Sequence, residues 1–177
     1  MATVLLVSER LKDVTGLVFR LVLAGVLGFA GLIKVFEADG ARNAINAYRI
    51  FPPEWAVPLG WALPAFEILL AILLLLGLFT RLAAAATGLL MVAFIAGIVS
   101  VWVRGYSVDC GCFGGGGDIS PEGVGAKYAR DIARDLLFVG MSLWLVMRPR
   151  SLWSLDRESV NRAPEQDVYP EDAERQV

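Results

Sequence analysis

Four long apolar segments constrain the fold of this 177-residue chain more than any other feature. They cover approximately residues 15–35, 58–79, 82–103 and 129–147. A helix that crosses a bilayer needs about 20 mostly apolar residues, so each segment is long enough to span it. Hydrophobic residues make up 56% of the chain and charged residues only 19%, which is too apolar for an ordinary soluble domain. We therefore expect an all-α polytopic membrane protein, folded as a four-helix antiparallel transmembrane bundle in the lipid bilayer.

The domain organisation follows from these spans. We expect an N-terminal segment at residues 1–14, the membrane domain at residues 15–147 and a tail at residues 148–177. The tail is polar and acidic and has little to bury, which predicts disorder. Two longer loops, at about residues 36–57 and 104–128, leave the bundle at the same end.

Shorter features lie between the spans. Residues 41–48 could form a short amphipathic helix at the membrane interface. Only Thr80 and Arg81 separate the second and third spans, which predicts a tight antiparallel hairpin. Small residues at Gly25, Gly28 and Gly31 indicate close packing of the first helix against a neighbour.

The distribution of Lys and Arg predicts the orientation, because short loops rich in these residues stay in the cytoplasm. The balance favours cytoplasmic termini and extracytoplasmic longer loops. The basic residues on the side of the termini are Arg10, Lys12, Arg81, Arg148, Arg150 and Arg157. Aromatic residues near the opposite ends of the spans are expected at the membrane interface; they are Tyr48, Trp55, Trp61, Trp102, Tyr106 and Tyr128.

The two cysteines of the chain, Cys110 and Cys112, are separated only by Gly111 in the longer loop after the third span. A disulfide between them would close a small, strained ring, and strained exposed disulfides belong to the labile or catalytic class. Closing so short a loop would stabilise the fold little. The predicted extracytoplasmic side is also where disulfides persist. The leading hypothesis is a redox-active pair in a thiol–disulfide oxidoreductase, with mobility supplied by Gly111, Gly114 and Gly115.

Other interpretations of the cysteine loop remain open. A static disulfide that braces the loop is the main competitor. A zinc site would need ligands beyond Asp109 and Asp118, so no metal is assigned. Palmitoylation would require the loop to face the cytoplasm. The chain has no histidine, which removes imidazole catalysis and His-ligated metal sites, and its net charge of −2 gives no electrostatic case for binding nucleic acid.

Ionisable residues inside the spans are a second candidate site, because such residues are costly in a bilayer and usually paired or functional. Counting about 1.5 Å per residue, Glu67 and Arg134 lie roughly 13 Å and 10 Å below the outer ends of their helices, which predicts that they pair. Lys34 is a third polar residue of this candidate site. Lys34 and Arg20 lie near opposite ends of the first helix and can snorkel. Asp135 points about 100° away from Arg134, which predicts that they do not share a face. The pair either fixes helix register or lines a polar cavity that relays protons or admits a quinone head group as electron acceptor.

The pattern as a whole resembles the MauE family of methylamine-utilisation membrane proteins, within the wider DoxX-like group. The residues that carry the resemblance are Arg20, Gly25 and Ala30-Gly31-Leu32-Ile33-Lys34, Leu63-Pro64-Ala65-Phe66-Glu67, Asp109-Cys110-Gly111-Cys112-Phe113-Gly114, and Ala133-Arg134-Asp135-Leu136-Leu137. The resemblance implies a redox-associated membrane protein that helps to form disulfides in exported proteins beside a thioredoxin-like partner. It does not tie the chain to methylamine, since the family is wider than that pathway.

Two further functions stay open from sequence. The chain could be a non-catalytic membrane subunit that anchors or assembles an oxidoreductase complex, with a structural disulfide in its loop. It could also be a small-molecule carrier that uses the polar cavity, although the sequence contains no inverted repeat.

Overall fold

The computed structural model describes residues 2–111 and 115–148, with side chains from residue 10 onward. Cys112, Gly114 and residues 149–177 of the predicted tail lie outside the described residues. The elements in chain order are α1 (Ala2–Phe36), α2 (Ala38–Tyr48), a 3₁₀ turn (Pro53–Trp55), α3 (Ala56–Leu76), α4 (Thr80–Val103), β1 (Val108–Asp109), β2 (Gly117–Asp118) and α5 (Val124–Met147).

Among the residues that the structure describes, three helical segments are long and apolar enough to cross a membrane: Arg10–Phe36, Pro53–Leu76 and Thr80–Val103. They correspond to the first three predicted spans. Helix α5 has 24 residues as well, but charged residues occupy its first half, and it is not among the three. The protein is therefore a mostly helical membrane protein with three such helices, and the crossing of α5 stays a prediction.

The long helices pack mainly as two pairs, α1 with α3 and α4 with α5. Small residues allow the close approach, as predicted for Gly28 and Gly31: a β-carbon on Gly31 would lie 2.7 Å from Cγ1 of Ile68. The same prediction is wrong for Gly25, because a β-carbon on Gly25 would have no atom of another helix within 4 Å. Gly88 has the equivalent role in the second pair, where a β-carbon would meet Ser142 at 3.2 Å.

The connection between α3 and α4 differs from the expected hairpin. The turn lies at residues 77–79, and Thr80 and Arg81 belong to the first turn of α4. Gly77 ends α3 in the left-handed conformation, with φ of 67°, which glycine adopts without a steric penalty. Although the turn is short, α3 and α4 contact each other much less than either contacts its main partner. A gap therefore remains between these two consecutive helices.

Helix α2 and a small β-hairpin cover the end of the bundle at which α1 and α4 finish. The helix predicted at residues 41–48 is confirmed and begins slightly earlier, and its alanine face is buried through Ala41, Ala44 and Ala47. Strands β1 and β2 pair antiparallel, with Val108 opposite Asp118, so the expected all-α fold is incomplete at this point. Cys110 directly follows β1.

Tyr128 of α5 holds β1 in place from below. Its side chain is fully buried, and its hydroxyl accepts a hydrogen bond from the backbone N–H of Val108 at 2.8 Å. The carbonyl oxygens of Tyr106 and Val108 each lie 3.1 Å from the same hydroxyl, so one of them accepts its proton. Tyr128 is therefore a core residue that does not face outward, whereas Trp55, Trp61 and Trp102 are about half exposed, and their position at the membrane interface stays a prediction.

Candidate functional site at the cysteine loop

Cys110 lies immediately after β1 and is partly buried under the covering helix α2. The preceding residue, Asp109, organises the turn, because one of its carboxylate oxygens accepts a hydrogen bond from the N–H of Gly111 at 3.1 Å. The other oxygen forms an ion pair with the ammonium group of Lys127 at 3.2 Å. The first residue of the Cys-Gly-Cys sequence is thus fixed between β1 and the start of α5.

Lys127 is a charged residue whose role at the cysteine loop the sequence did not predict. Partial burial by itself lowers the pKa of Lys127, but the hydrogen bond and charge of Asp109, together with the charges of Cys110 and Asp131, raise the pKa above its ordinary value of 10.5. Lys127 therefore stays cationic over the whole range in which thiols titrate. The stability that the charged form of Lys127 contributes through this ion pair is fully present below pH 10.5. It is lost as the pH rises through the raised pKa of Lys127. The attraction between the two groups is mutual. Because a thiolate at Cys110 favours the ammonium form of Lys127, the ammonium group in turn favours the thiolate form of Cys110.

Helix α2 holds the cysteine loop from the other side. The hydroxyl of Tyr48 donates to the carbonyl oxygen of Cys110 at 3.5 Å, which is the long limit for a hydrogen bond. The N–H of Gly115 donates to the carboxylate of Glu37 at 3.3 Å. A β-carbon on Gly111, where φ is 66°, would lie 2.7 Å from that of Ala44. Glycine is required here for close packing on α2, and the loop mobility predicted for Gly111, Gly114 and Gly115 stays a prediction.

Substituting Gly111 by Ala tests this packing. Gly105 is the matched control, because its φ of 75° is similar but nothing lies within 4 Å of an added β-carbon. Both substitutions incur the left-handed backbone cost of about 1–2 kcal/mol. We expect Gly111→Ala to cost a further 1–3 kcal/mol or so in the free energy of unfolding, since it also overpacks against Ala44.

The measurement is denaturant unfolding of the purified full chain in micelles. The double variant Gly111→Ala/Ala44→Gly should recover the overpacking cost, less about 1 kcal/mol for glycine inside α2. Equal destabilisation by Gly111→Ala and Gly105→Ala would contradict the close contact.

A cavity of about 220 Å³ lies below the cysteine loop. Cys110 and Gly111 form its upper edge together with Tyr48 of α2, and Lys34 lies on its wall. The remaining lining is almost entirely apolar and comes from α2, α3, α4 and the segment between α2 and α3; it includes Leu63, Pro64, Phe94 and Gly97. The cavity occupies the gap between α3 and α4. The predicted cavity beneath the loop is therefore present, but it is mainly apolar rather than polar.

Lys34, the charged residue in the lining of this cavity, forms a buried ion pair with Glu67 of α3. Its ammonium nitrogen lies 2.5 Å and 2.8 Å from the two carboxylate oxygens of Glu67. The exposed fractions of the two residues are only 4% and 1%, so Lys34 does not snorkel. Arg20, at 2% exposed, does not snorkel either. The predicted partner of Glu67 is wrong: Lys34 takes the place expected for Arg134.

Arg134 binds two carboxylates on its own helix. Its guanidinium group donates to Asp131 at 3.2 Å and to one oxygen of Asp135 at 2.9 and 3.0 Å. Arg134 and Asp135 form this ion pair although successive residues point about 100° apart on a helix, because a guanidinium group on a long side chain reaches across that angle. Lys34, Glu67, Arg134 and Asp135 nevertheless line one small void of about 10 Å³, close to the smallest space that holds a single water molecule.

The predicted site residues thus form two layers. Cys110 and Gly111 are at the upper edge of the cavity, and Lys34 connects that cavity to the deeper charged layer of Glu67 and Arg134. Within residues 2–111 and 115–148, no three His, Cys, Asp or Glu side chains are grouped as metal ligands would be. The roles of Tyr48, Glu37 and Ala44 could not be predicted from sequence either, because they depend on α2 folding over the loop.

Comparison with known protein families gives one match, over residues 12–148, to the family described as methylamine utilisation protein MauE. Searches of curated proteins and of solved structures found no match. The matched residues include most of α1, all of α2 to α5, the cysteine loop and the charged layer of Glu67 and Arg134. The chain is therefore a membrane protein that belongs to the MauE family.

Proposed function

We propose that this protein is a membrane thiol–disulfide redox protein in which Cys110 and Cys112 form the exchanging pair. The pair would accept electrons from, or donate them to, a thioredoxin-like exported partner and so support disulfide formation in exported proteins. Exchange proceeds by attack of a thiolate on a disulfide sulfur, so it requires a sulfur that is both accessible and ionised.

The observation that carries the proposal is the environment of Cys110. The residue is partly exposed at one end of the bundle and is electrostatically coupled to the cation Lys127. Reactive cysteines occur in electropositive, partly exposed surroundings, whereas structural cysteines are usually buried in apolar ones. In this proposal the loop faces the extracytoplasmic side of the bacterial cytoplasmic membrane, as the Lys and Arg distribution predicts.

One observation favours a second function. The cysteine loop packs closely on α2 through Gly111, and such packing suits a static disulfide that braces the end of the bundle. In that case the chain would be a non-catalytic anchor or assembly subunit of an oxidoreductase complex. The two functions differ in whether the cysteine pair changes its oxidation state.

Thiol trapping in intact cells with a membrane-impermeant maleimide tests the proposed exchange. We expect Cys110→Ser or Cys112→Ser to leave one thiol that accumulates a mixed disulfide with an exported protein, visible as a band that a reductant removes. In the unmodified chain the pair should alternate between labelled and protected forms when the growth medium is made reducing or oxidising.

The matched control is a variant with both cysteines changed to Ser and Ser120 changed to Cys. Ser120 is exposed in the same loop but lies apart from Lys127 in the sequence, so Ser120→Cys should be labelled without trapping a partner. A pair that stays oxidised under all conditions, with normal disulfide formation in the double Ser variant, would support the bracing subunit instead. Labelling of Ser120→Cys only after permeabilisation would contradict the orientation.

A further inference from the structure

The cavity between α3 and α4 has the properties of a binding site for a planar, membrane-soluble ring. It is about 220 Å³, whereas a cavity of about 150 Å³ in another protein holds benzene, so one substituted ring fits and a whole long-tailed lipid does not. Its walls are apolar and include the aromatic side chains of Tyr48, Phe51 and Phe94.

The cavity opens sideways, toward the region that lipid occupies. Ala93 lines it and is exposed, although this residue lies in the middle of the membrane-crossing helix α4. Ile50 and Phe51 also line it and are 49% and 53% exposed. A tail attached to a bound ring could therefore continue into the bilayer.

Lys34 supplies a polar contact inside this apolar space. Two of its three ammonium hydrogens are directed to Glu67, which leaves one donor for a ligand. The same ammonium group lies 5.4 Å from the centre of the Phe94 ring, which also lines the cavity. A cation at this position would hydrogen-bond a carbonyl oxygen and stabilise negative charge that develops on it during reduction.

We propose that this cavity binds the head group of a quinone, which serves as the electron acceptor for the cysteine pair. The redox step rests on the proposed function: two thiols lose their S–H protons and one electron each and form an S–S bond, and the quinone gains two electrons and two protons to become a quinol. Cys110 and Gly111 line the same cavity as Lys34, so the proposed donor adjoins the ring site.

The test is direct binding of decylubiquinone, and separately of a short-chain menaquinone, to the purified full chain in nanodiscs. Binding is followed by quenching of tryptophan fluorescence, with decanol as the tail-only comparison. We expect saturable binding of at least one quinone, and Ala93→Phe should weaken it by at least about tenfold because the new ring fills the mouth. Ala96→Phe is the matched control on the same exposed side of α4, outside the cavity lining, and should bind within about twofold of the parent.

A double variant tests the role of Lys34 without leaving a buried charge unpaired. Lys34→Met/Glu67→Met removes both members of the ion pair with similar volume, and it should bind quinone more weakly while its unfolding midpoint is retained. The proposal would be overturned if Ala93→Phe and Ala96→Phe lost the same quinone affinity, if decanol bound as tightly as the quinones, or if neither quinone bound saturably. The variant without cysteines should still bind quinone, so failure of thiol exchange and failure of this site give different results.

Discussion

Removing one member of the Lys34–Glu67 pair is expected to cost about 3–5 kcal/mol in the free energy of unfolding, because the remaining charge stays buried without its partner. Lys34→Met would leave Glu67, which is 1% exposed, and Glu67→Met would leave Lys34, which is 4% exposed. The double variant Lys34→Met/Glu67→Met should be close to neutral or more stable than the parent, since well-packed apolar side chains of similar size avoid the desolvation penalty.

The measurement is a double-mutant cycle of unfolding in mixed micelles. Lys127→Met provides the comparison on the surface, where the Lys127–Asp109 side chains are 29% and 27% exposed and the expected cost is below about 1 kcal/mol. If the double variant lost as much stability as the two single variants together, Lys34 and Glu67 would be acting independently. That result would contradict the ion pair as the element that fixes α1 against α3.

The partner of Glu67 could not be predicted from helix depth. The prediction counted residues from the end of each helix, which treats all helix ends as lying at the same level. In the structure α1 ends at Phe36 and α2 begins at Ala38, directly over the bundle, so Lys34 is covered rather than placed at the membrane surface. Its side chain points back along α1, as helical side chains do, and so reaches Glu67 within α3.

The apolar helices themselves were predictable, because hydropathy over about 20 residues is a strong signal. Their ends were less so: α5 begins at Val124, before the predicted start at residue 129, and this places Lys127 on the helix beside Asp109. Strands β1 and β2 have two residues each, too few for an alternating pattern to appear in sequence. The geometry around Cys110 therefore depended on features that only the folded chain brings together.

A substitution at Lys127 is expected to change the reactivity of Cys110. In a Cys112→Ser background, Lys127→Met should slow alkylation of Cys110 by iodoacetamide near pH 7 by about three- to tenfold, because less of the sulfur is present as the reactive thiolate. The cause is loss of the cation that is coupled to the sulfur. Lys127→Arg keeps the charge and should stay within about twofold of the Cys112→Ser parent.

Removing the negative charge of Asp109, which lies beside Lys127, should change the alkylation rate of Cys110 in the opposite direction. Asp109→Asn keeps the oxygen that accepts from the N–H of Gly111 but removes the negative charge that competes for Lys127, so the same rate should rise. Rates are measured across a pH series, because a change in ionisation moves the midpoint of the profile. Loss of the cation should also leave the alkaline plateau equal or somewhat higher, since a thiolate of higher pKa is the better nucleophile, whereas reduced access lowers the plateau and leaves the midpoint in place. Identical midpoints in the Lys127→Met, Asp109→Asn and parent proteins would show that Lys127 does not activate Cys110, and the proposed exchange would then lose its main structural support.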